Sequence, residues 1–392
     1  MQSTGEGSGI TRRHALRWLG AGAGFATLAW GETPAPRIEP TAVTVAGGLS
    51  HPWSLAFLPD SRMLVTERTG TLRIVTETGV ASAPLAGIPA VDARGQGGLL
   101  DVALDHAFVA NRRVYLSYAE PGSGAESGRN GTAVARGTLS ADGRQLANLQ
   151  VIFRQRPKIA STAHFGSRLA FALDGTLFIT LSERYSQRDQ AQNLGNHLGK
   201  VVRIRPDGSI PQDNPFVHTG GAMPEIWSYG HRNVQGAAIH PVTGELWTSE
   251  HGPQGGDEVN IDRAGRNYGW PRISFGCDYG APVGHCTPVG GAASAPGMEQ
   301  PVTCWVPTSI APSGLMFHTG ECLPQWRGNL FLGALAGRAL WRLRLDGDTV
   351  AAREALFTGL NERIRDVRQG PDGAIYLISD GASAKIYRLQ PV

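Results

Sequence analysis

One pattern recurs along the 392-residue chain and limits what it can fold into. A polar or glycine-rich entry leads into a short apolar strand, a turn rich in Asp, Asn or Gly, and a second apolar strand. The first copy runs through residues 53–57 (WSLAF), a Pro59-Asp60-Ser61 turn and residues 63–67 (MLVTE). The second sets 99–104 against 114–118, and the third 168–173 against 177–181 across Asp174-Gly175. The fourth sets 235–240 against 246–248, and the fifth 313–318 against 329–333. The sixth sets 364–368 against 375–379 across Pro371-Asp372-Gly373. Each copy reads as a β-hairpin. A lone hairpin with an apolar face is marginal in water. Copies arranged radially cover that face and leave only short edges. The expected fold is therefore all-β, a six-bladed propeller with four-stranded antiparallel blades. Stretches such as 71–75, 199–205 and 340–345 would supply further strands. A β-sandwich or a pair of β domains is the rival architecture. The DG and PDG turns near the middle of the copies favour the propeller.

Hairpin geometry also says where the chemistry collects. Residues equidistant from a turn face each other across the two strands. His164 precedes Asp174-Gly175 by about the distance at which Glu183 follows it. Arg232 and Asn233 stand in the same relation to His251, Gly252 and Pro253, and Arg365 to Asp380. Radial hairpins would bring all these open ends to one face of the propeller. A histidine with a carboxylate can act as a general base near neutral pH, the carboxylate fixing its tautomer. Arginines bind carboxylates bidentately. The set suits proton abstraction beside an anionic cofactor or substrate. The bland alternatives are a satisfied core histidine and ordinary rim charges at Arg363 and Arg365. Residues 250–260 (EHGPQGGDEVN) add backbone carbonyls and carboxylates, hard oxygen ligands suited to calcium, although the stretch is no EF-hand loop and also reads as a polar turn.

The start of the chain reads as a leader. TRRHAL from Thr11 precedes an apolar, Gly/Ala-rich stretch to Trp30 that is short for a stable membrane span. The paired arginines resemble a twin-arginine export signal; an ordinary secretory signal or an uncleaved anchor is the alternative. The organisation read from the sequence is a signal over residues 1–30, a proline-rich linker over 31–40 and one propeller over 41–392. Without Glu6, Arg12, Arg13 and Arg17 the formal charge falls from +3 to about +1, which gives no electrostatic case for nucleic acid. The four cysteines, Cys277, Cys286, Cys304 and Cys322, all lie late in the chain. Export and an even count favour disulfides, with three possible connectivities. The pairing expected is Cys277–Cys286 and Cys304–Cys322, each closing a local loop. No CxxC spacing supports zinc.

With these residues in place, the chain resembles the soluble aldose (glucose/sorbosone-type) dehydrogenases that depend on pyrroloquinoline quinone. The likeness spans roughly residues 43–389. It rests on HPWSLAFLPD from His51, GQGGLLDVALD from Gly95, HFGSRL from His164, LGNHLGKVVRI from Leu194 and SYGHRNVQG from Ser228. It continues in SEHGPQGGDEVN from Ser249, NYGWP from Asn267, APSGLMF from Ala311 and RIRDVRQGPDG from Arg363. The resemblance implies that His164 is the base for the sugar's anomeric hydroxyl and that Glu183 orients it. It implies that Arg232 and Asn233 contact the quinone oxygens, and that Gln96, Arg363 and Arg365 contact the cofactor. The carbonyls of Gly252 and Pro253 resemble calcium ligands, Glu258 and Tyr268 resemble ligands of a second calcium, and Trp305 resembles a sugar contact. The sequence departs from the family in three places. The lysine that such proteins carry on the fifth blade is missing from residues 333–338, where Arg338 is the possible substitute; Ala163 stands where an aspartate is often found; and the segment after Tyr268 differs.

The function implied is a periplasmic oxidoreductase acting on aldoses, with electrons leaving to an unidentified acceptor, in a monomer or homodimer without a membrane span. Two other classes stay open at this point. One is a calcium-dependent lactonase-type hydrolase on a similar propeller. The other is a propeller that binds glycans or proteins without catalysis.

Overall fold

A computed structural model describes residues 40–391. The leader and nearly all of the linker lie outside the described residues. Six antiparallel sheets make up the fold, and their inner strands follow one another around a ring in chain order. Those inner strands are Pro52–Phe57, Leu99–Leu104, Gly166–Phe171, Val234–Ile239, Pro312–Phe317 and Ile364–Gln369. The last packs back against the first, which closes the propeller. Blade one has three strands, continued outward by an isolated Val75–Ala81 bridge, and the other blades have four. Blade six takes its outer strand from the opposite end of the chain. Thr41–Leu49 pairs antiparallel with Ala384–Gln390, Thr41 lying opposite Gln390. Backbone hydrogen bonds therefore clasp the ring shut.

The local chemistry explains the strands. In blade three, Leu177–Leu181 (LFITL) is buried along its whole length, as a strand enclosed on both faces must be. The turn before it uses Gly175 at φ +81°, and the Asp174 carboxylate accepts the Thr176 N–H at 2.9 Å. Apolar clusters fill each of the blade–blade interfaces. Leu64, Leu99 and Leu116 sit between blades one and two, and Leu55, Val65 and Ile378 between blades six and one. The core is thus a ring of interfaces around a polar axis.

Every inner strand breaks register once near the same end of the ring. The breaks fall at Pro52/Ser54, Leu99/Val102, Val234/Gly236, Pro312/Leu315 and Ile364/Asp366, and in blade three opposite Ile179/Leu181. A bulge bends a strand and re-aims its side chains. Trp53, Leu100, Gln235 and Arg365 fall inside these breaks, and all four line the central cavity. Next to them on the inner strands, charges close the axis. The Arg168 and Arg368 guanidiniums lie 2.8–3.3 Å from the carboxylates of Asp101 and Asp366, and Ser54 donates to Asp101.

One of the two expected disulfides forms. Cys277 and Cys286 are bonded with Cα atoms 6.1 Å apart. Cys304 and Cys322 are both free, so the second expected bridge is incorrect. Cys304 lies on Thr303–Trp305, the outer strand of blade four, opposite Glu258. Cys322 sits in the loop after the inner strand of blade five, beside Gly373 of blade six. Closeness in sequence does not bring them together, because the chain changes blade between them. No helix among the described residues is long and apolar enough to cross a membrane.

Candidate active site

The open ends of the hairpins do meet on one face. In blade three the ladder ends at Gly166 opposite Leu181, and His164 and Glu183 stand two residues further out on either side. The His164 Nδ1 lies 3.0 Å from Glu183 Oε1, and both residues are buried. The carboxylate fixes the hydrogen on Nδ1 and leaves Nε2 as the free base. His164 takes a left-handed φ of +51°, uncommon outside glycine, and its N–H donates to the Gln96 side chain at 2.8 Å. Burial is the largest influence on its basicity and the nearby Arg232 adds to it; together they outweigh Glu183 and hold His164 below the ordinary histidine pKa. The ring is neutral at pH 7.

Arg184 braces this segment from behind. Its guanidinium, packed over the Phe165 ring, donates to the carbonyls of Asn130, Ser161 and Ala163. A buried arginine spending its donors on carbonyls fixes a loop that has no ladder to hold it.

Arg232 stands on the neighbouring blade. Its Nη1 donates to the carbonyls of His251 (2.9 Å) and Gly252 (2.5 Å), and its Nη2 to the Tyr279 hydroxyl at 3.3 Å. Asn233 is held by Ser182 and Gln235 through its amide oxygen. The loop that presents Gly252 and Pro253 is anchored by Asp257, which accepts the N–H groups of Gly252, Ile310 and Ala311. A Cβ on Gly252 would come within 2.3 Å of the Gly255 and Gly256 carbonyls, so this turn needs glycine.

Between these blades lies a cavity of about 300 Å³. Gln96, Asn233, His251, Arg363 and Arg365 line it, and His164 adjoins it through its neighbours Phe165 and Gly166. Asp380 accepts from Arg363 Nε at 3.1 Å and from Arg365 Nη2 at 3.3 Å. His251 is half-buried in the cavity wall and its pKa is pushed down to about 3, chiefly by burial, so it is neutral there. Its ring nitrogen lies 2.7 Å from the Pro312 carbonyl.

Glu258 and Tyr268 do not line this cavity; with Arg232, Gly252 and Glu250 they line a much smaller void of about 20 Å³ that shares His251 with it. Burial and the adjacent Glu250 carboxylate raise the Glu258 pKa. The Tyr268 hydroxyl is committed to the Ile261 carbonyl, and its ring stacks on His231. Two expectations need correction. Trp305 is buried against Trp341 in the core between blades four and five and does not line the cavity. Arg338 donates to the Asn361 side chain and carbonyl on the exposed surface, so it is not turned to the fifth-blade position assigned to it. Three polar lining or flanking residues go unmarked in the sequence: Arg68, Gln235 and Tyr279. Arg68 was within reach of the same symmetry, because it follows the first hairpin's turn as far as His51 precedes it.

Comparison with known proteins agrees with this geometry. The model of the family described as Glucose / Sorbosone dehydrogenase matches residues 49–388. The chain is 46% identical over 344 residues to "Aldose sugar dehydrogenase YliI" of Escherichia coli, covering 88% of this chain and 91% of that one. A crystal structure described as glucose dehydrogenase superposes with a TM-score of 0.84 at 49% identity, over 89% of this chain and 99% of that one. The PQQ-bound aldose sugar dehydrogenase of Streptomyces coelicolor superposes with a TM-score of 0.73 at 30% identity, over 91% and 99%. The match runs through every blade and includes the hairpin ends that build the cavity, and so the chain belongs to the glucose/sorbosone dehydrogenase family.

Proposed function

We propose that this chain is an exported quinoprotein that oxidises aldose sugars at the anomeric carbon to lactones and passes the electrons to an external acceptor. One observation carries the reading. A neutral histidine, oriented by a buried carboxylate, adjoins a cavity lined with arginines. The relative in Escherichia coli, described as an aldose sugar dehydrogenase, supports the substrate class. The PQQ-bound structure from Streptomyces coelicolor supports the cofactor.

The residues present fit pyrroloquinoline quinone, a planar tricarboxylate. Arg68, Arg363 and Arg365 line the cavity with a single carboxylate, Asp380, so it carries surplus positive charge. The Arg365 Nε is buried with no hydrogen-bond partner. Arg363 and Arg365 would hold the carboxylates, with Gln96, Arg232 and Asn233 at the other polar edges. When bound, the quinone supplies the two-electron acceptor for the hydride leaving the sugar's C1. The chain's own part is acid–base chemistry and orientation. His164 Nε2 takes the proton of the anomeric hydroxyl, Glu183 stabilises the imidazolium, and Arg232 stabilises negative charge opposite.

Calcium belongs to the same proposal. The Gly252 carbonyl, which here accepts from Arg232, and the Pro253 carbonyl are hard ligands; an ion bound to them would take over that contact and act as a Lewis acid. A second ion would relieve the repulsion between Glu250 and Glu258 near Tyr268. The leader supports export to the periplasm, and a monomer or homodimer is expected. The test is to titrate the purified apo-protein with the quinone and calcium, then add aldoses with an artificial electron acceptor. Dye reduction should require the quinone. No change in quinone absorbance on mixing, together with no turnover, overturns the reading.

A further inference from the structure

The cavity holds a cation whose role the family resemblance does not assign. Arg68 follows the second strand of blade one, Met63–Glu67, and lines the cavity with Arg363 and Arg365. Its backbone is fixed on both sides. Its N–H donates to the His51 carbonyl, its carbonyl accepts from Leu99, and Gly98 packs so close that a Cβ there would sit 1.9 Å from the Arg68 oxygen. The side chain is only partly used. Nη1 donates to the Gly95 carbonyl at 2.7 Å, whereas Nε is buried without a partner. Among the described residues no ion pair joins it to a carboxylate; the Arg363 and Arg365 guanidiniums both meet Asp380 Oδ2. The like charge of Arg68 also disfavours the cationic form of Arg365 across the cavity. Concentrating guanidiniums around one carboxylate is costly in the free protein, and a bound anion would offset that cost.

We propose that Arg68 is a third anchor for a carboxylate of the bound quinone, contributed by blade one beside the pair on blade six. This rests on the quinone reading above.

The experiment measures pyrroloquinoline quinone binding by absorbance titration of the calcium-loaded apo-protein, at several ionic strengths and with no sugar present. Arg68→Gln should weaken binding by about tenfold or more and flatten its salt dependence. Arg68→Lys should keep the salt dependence with an intermediate loss. Arg338→Gln, whose arginine is spent on Asn361, should bind like the wild type. Wild-type affinity in Arg68→Gln overturns the inference and leaves the quinone reading standing. Weaker binding with an unchanged salt dependence also overturns it, because the loss would then come from the Gly95 loop and not from charge. A wild-type protein that does not bind the quinone overturns the functional reading and this inference with it.

Discussion

His164 must be neutral to take a proton, and its surroundings keep it so. Burial acts on it more strongly than the Glu183 carboxylate does. Its folded pKa lies below the ordinary value near 6.5, so the acid limb of the kcat/KM profile should fall below pH 6.5. Glu183 is the group that raises this pKa. Glu183→Gln should therefore move the limb to still lower pH, while kcat drops because the ring loses its fixed tautomer. A pH–rate series on both proteins checks the two effects together, and a limb that moves upward contradicts the assigned pair. His164→Ala should lose roughly 10²–10⁴-fold in turnover and keep quinone binding. Unchanged turnover would refute the base.

The loop that reaches Arg232 is held by means other than ladders. Residues 277–286 are closed by one disulfide and tied to the Gly252–Pro253 loop by Gln254, which donates to the Ala281 carbonyl and accepts from Gly280. This loop carries Tyr279 to Arg232. Replacing both bridged cysteines by serine should cost about 2–3 kcal/mol of loop order and open the segment to protease, which limited proteolysis reads directly. Under denaturing conditions without reductant, two thiols should react, Cys304 and Cys322. In the native protein Cys304 should react slowly, because burial and the neighbouring Glu258 raise its pKa. Four reactive thiols would contradict the bridge.

The ring is stabilised around its axis as well as between its blades. Asp101 accepts from Ser54 and the Leu169 N–H and meets Arg168 and Arg368, so blades one, two, three and six converge on one carboxylate. Asp101→Asn keeps the shape but leaves two guanidiniums with less countercharge. It should cost about 3–5 kcal/mol, the scale for unpairing a buried ion. The midpoint of chemical denaturation measures this, and an unchanged midpoint would mean that solvent reaches the axis and screens the charges.

The sequence alone determined the hairpins, their number and the face on which their open ends lie. Apolar alternation and Asp-Gly turns act over a few residues, and opposite positions in a hairpin follow from counting outward from its turn. His164 with Glu183 and Arg365 with Asp380 were legible for that reason. The tertiary structure decided what depends on neighbours distant in the chain. The bulge in each inner strand, the clasp between Thr41–Leu49 and Ala384–Gln390, the burial of Trp305 and the separation of Cys304 from Cys322 all arise from blades packing against one another. No local pattern encodes those contacts. Hairpin counting also reaches Arg68 at the open end of blade one, but its place beside Arg363 and Arg365 depends on ring closure setting blade one next to blade six.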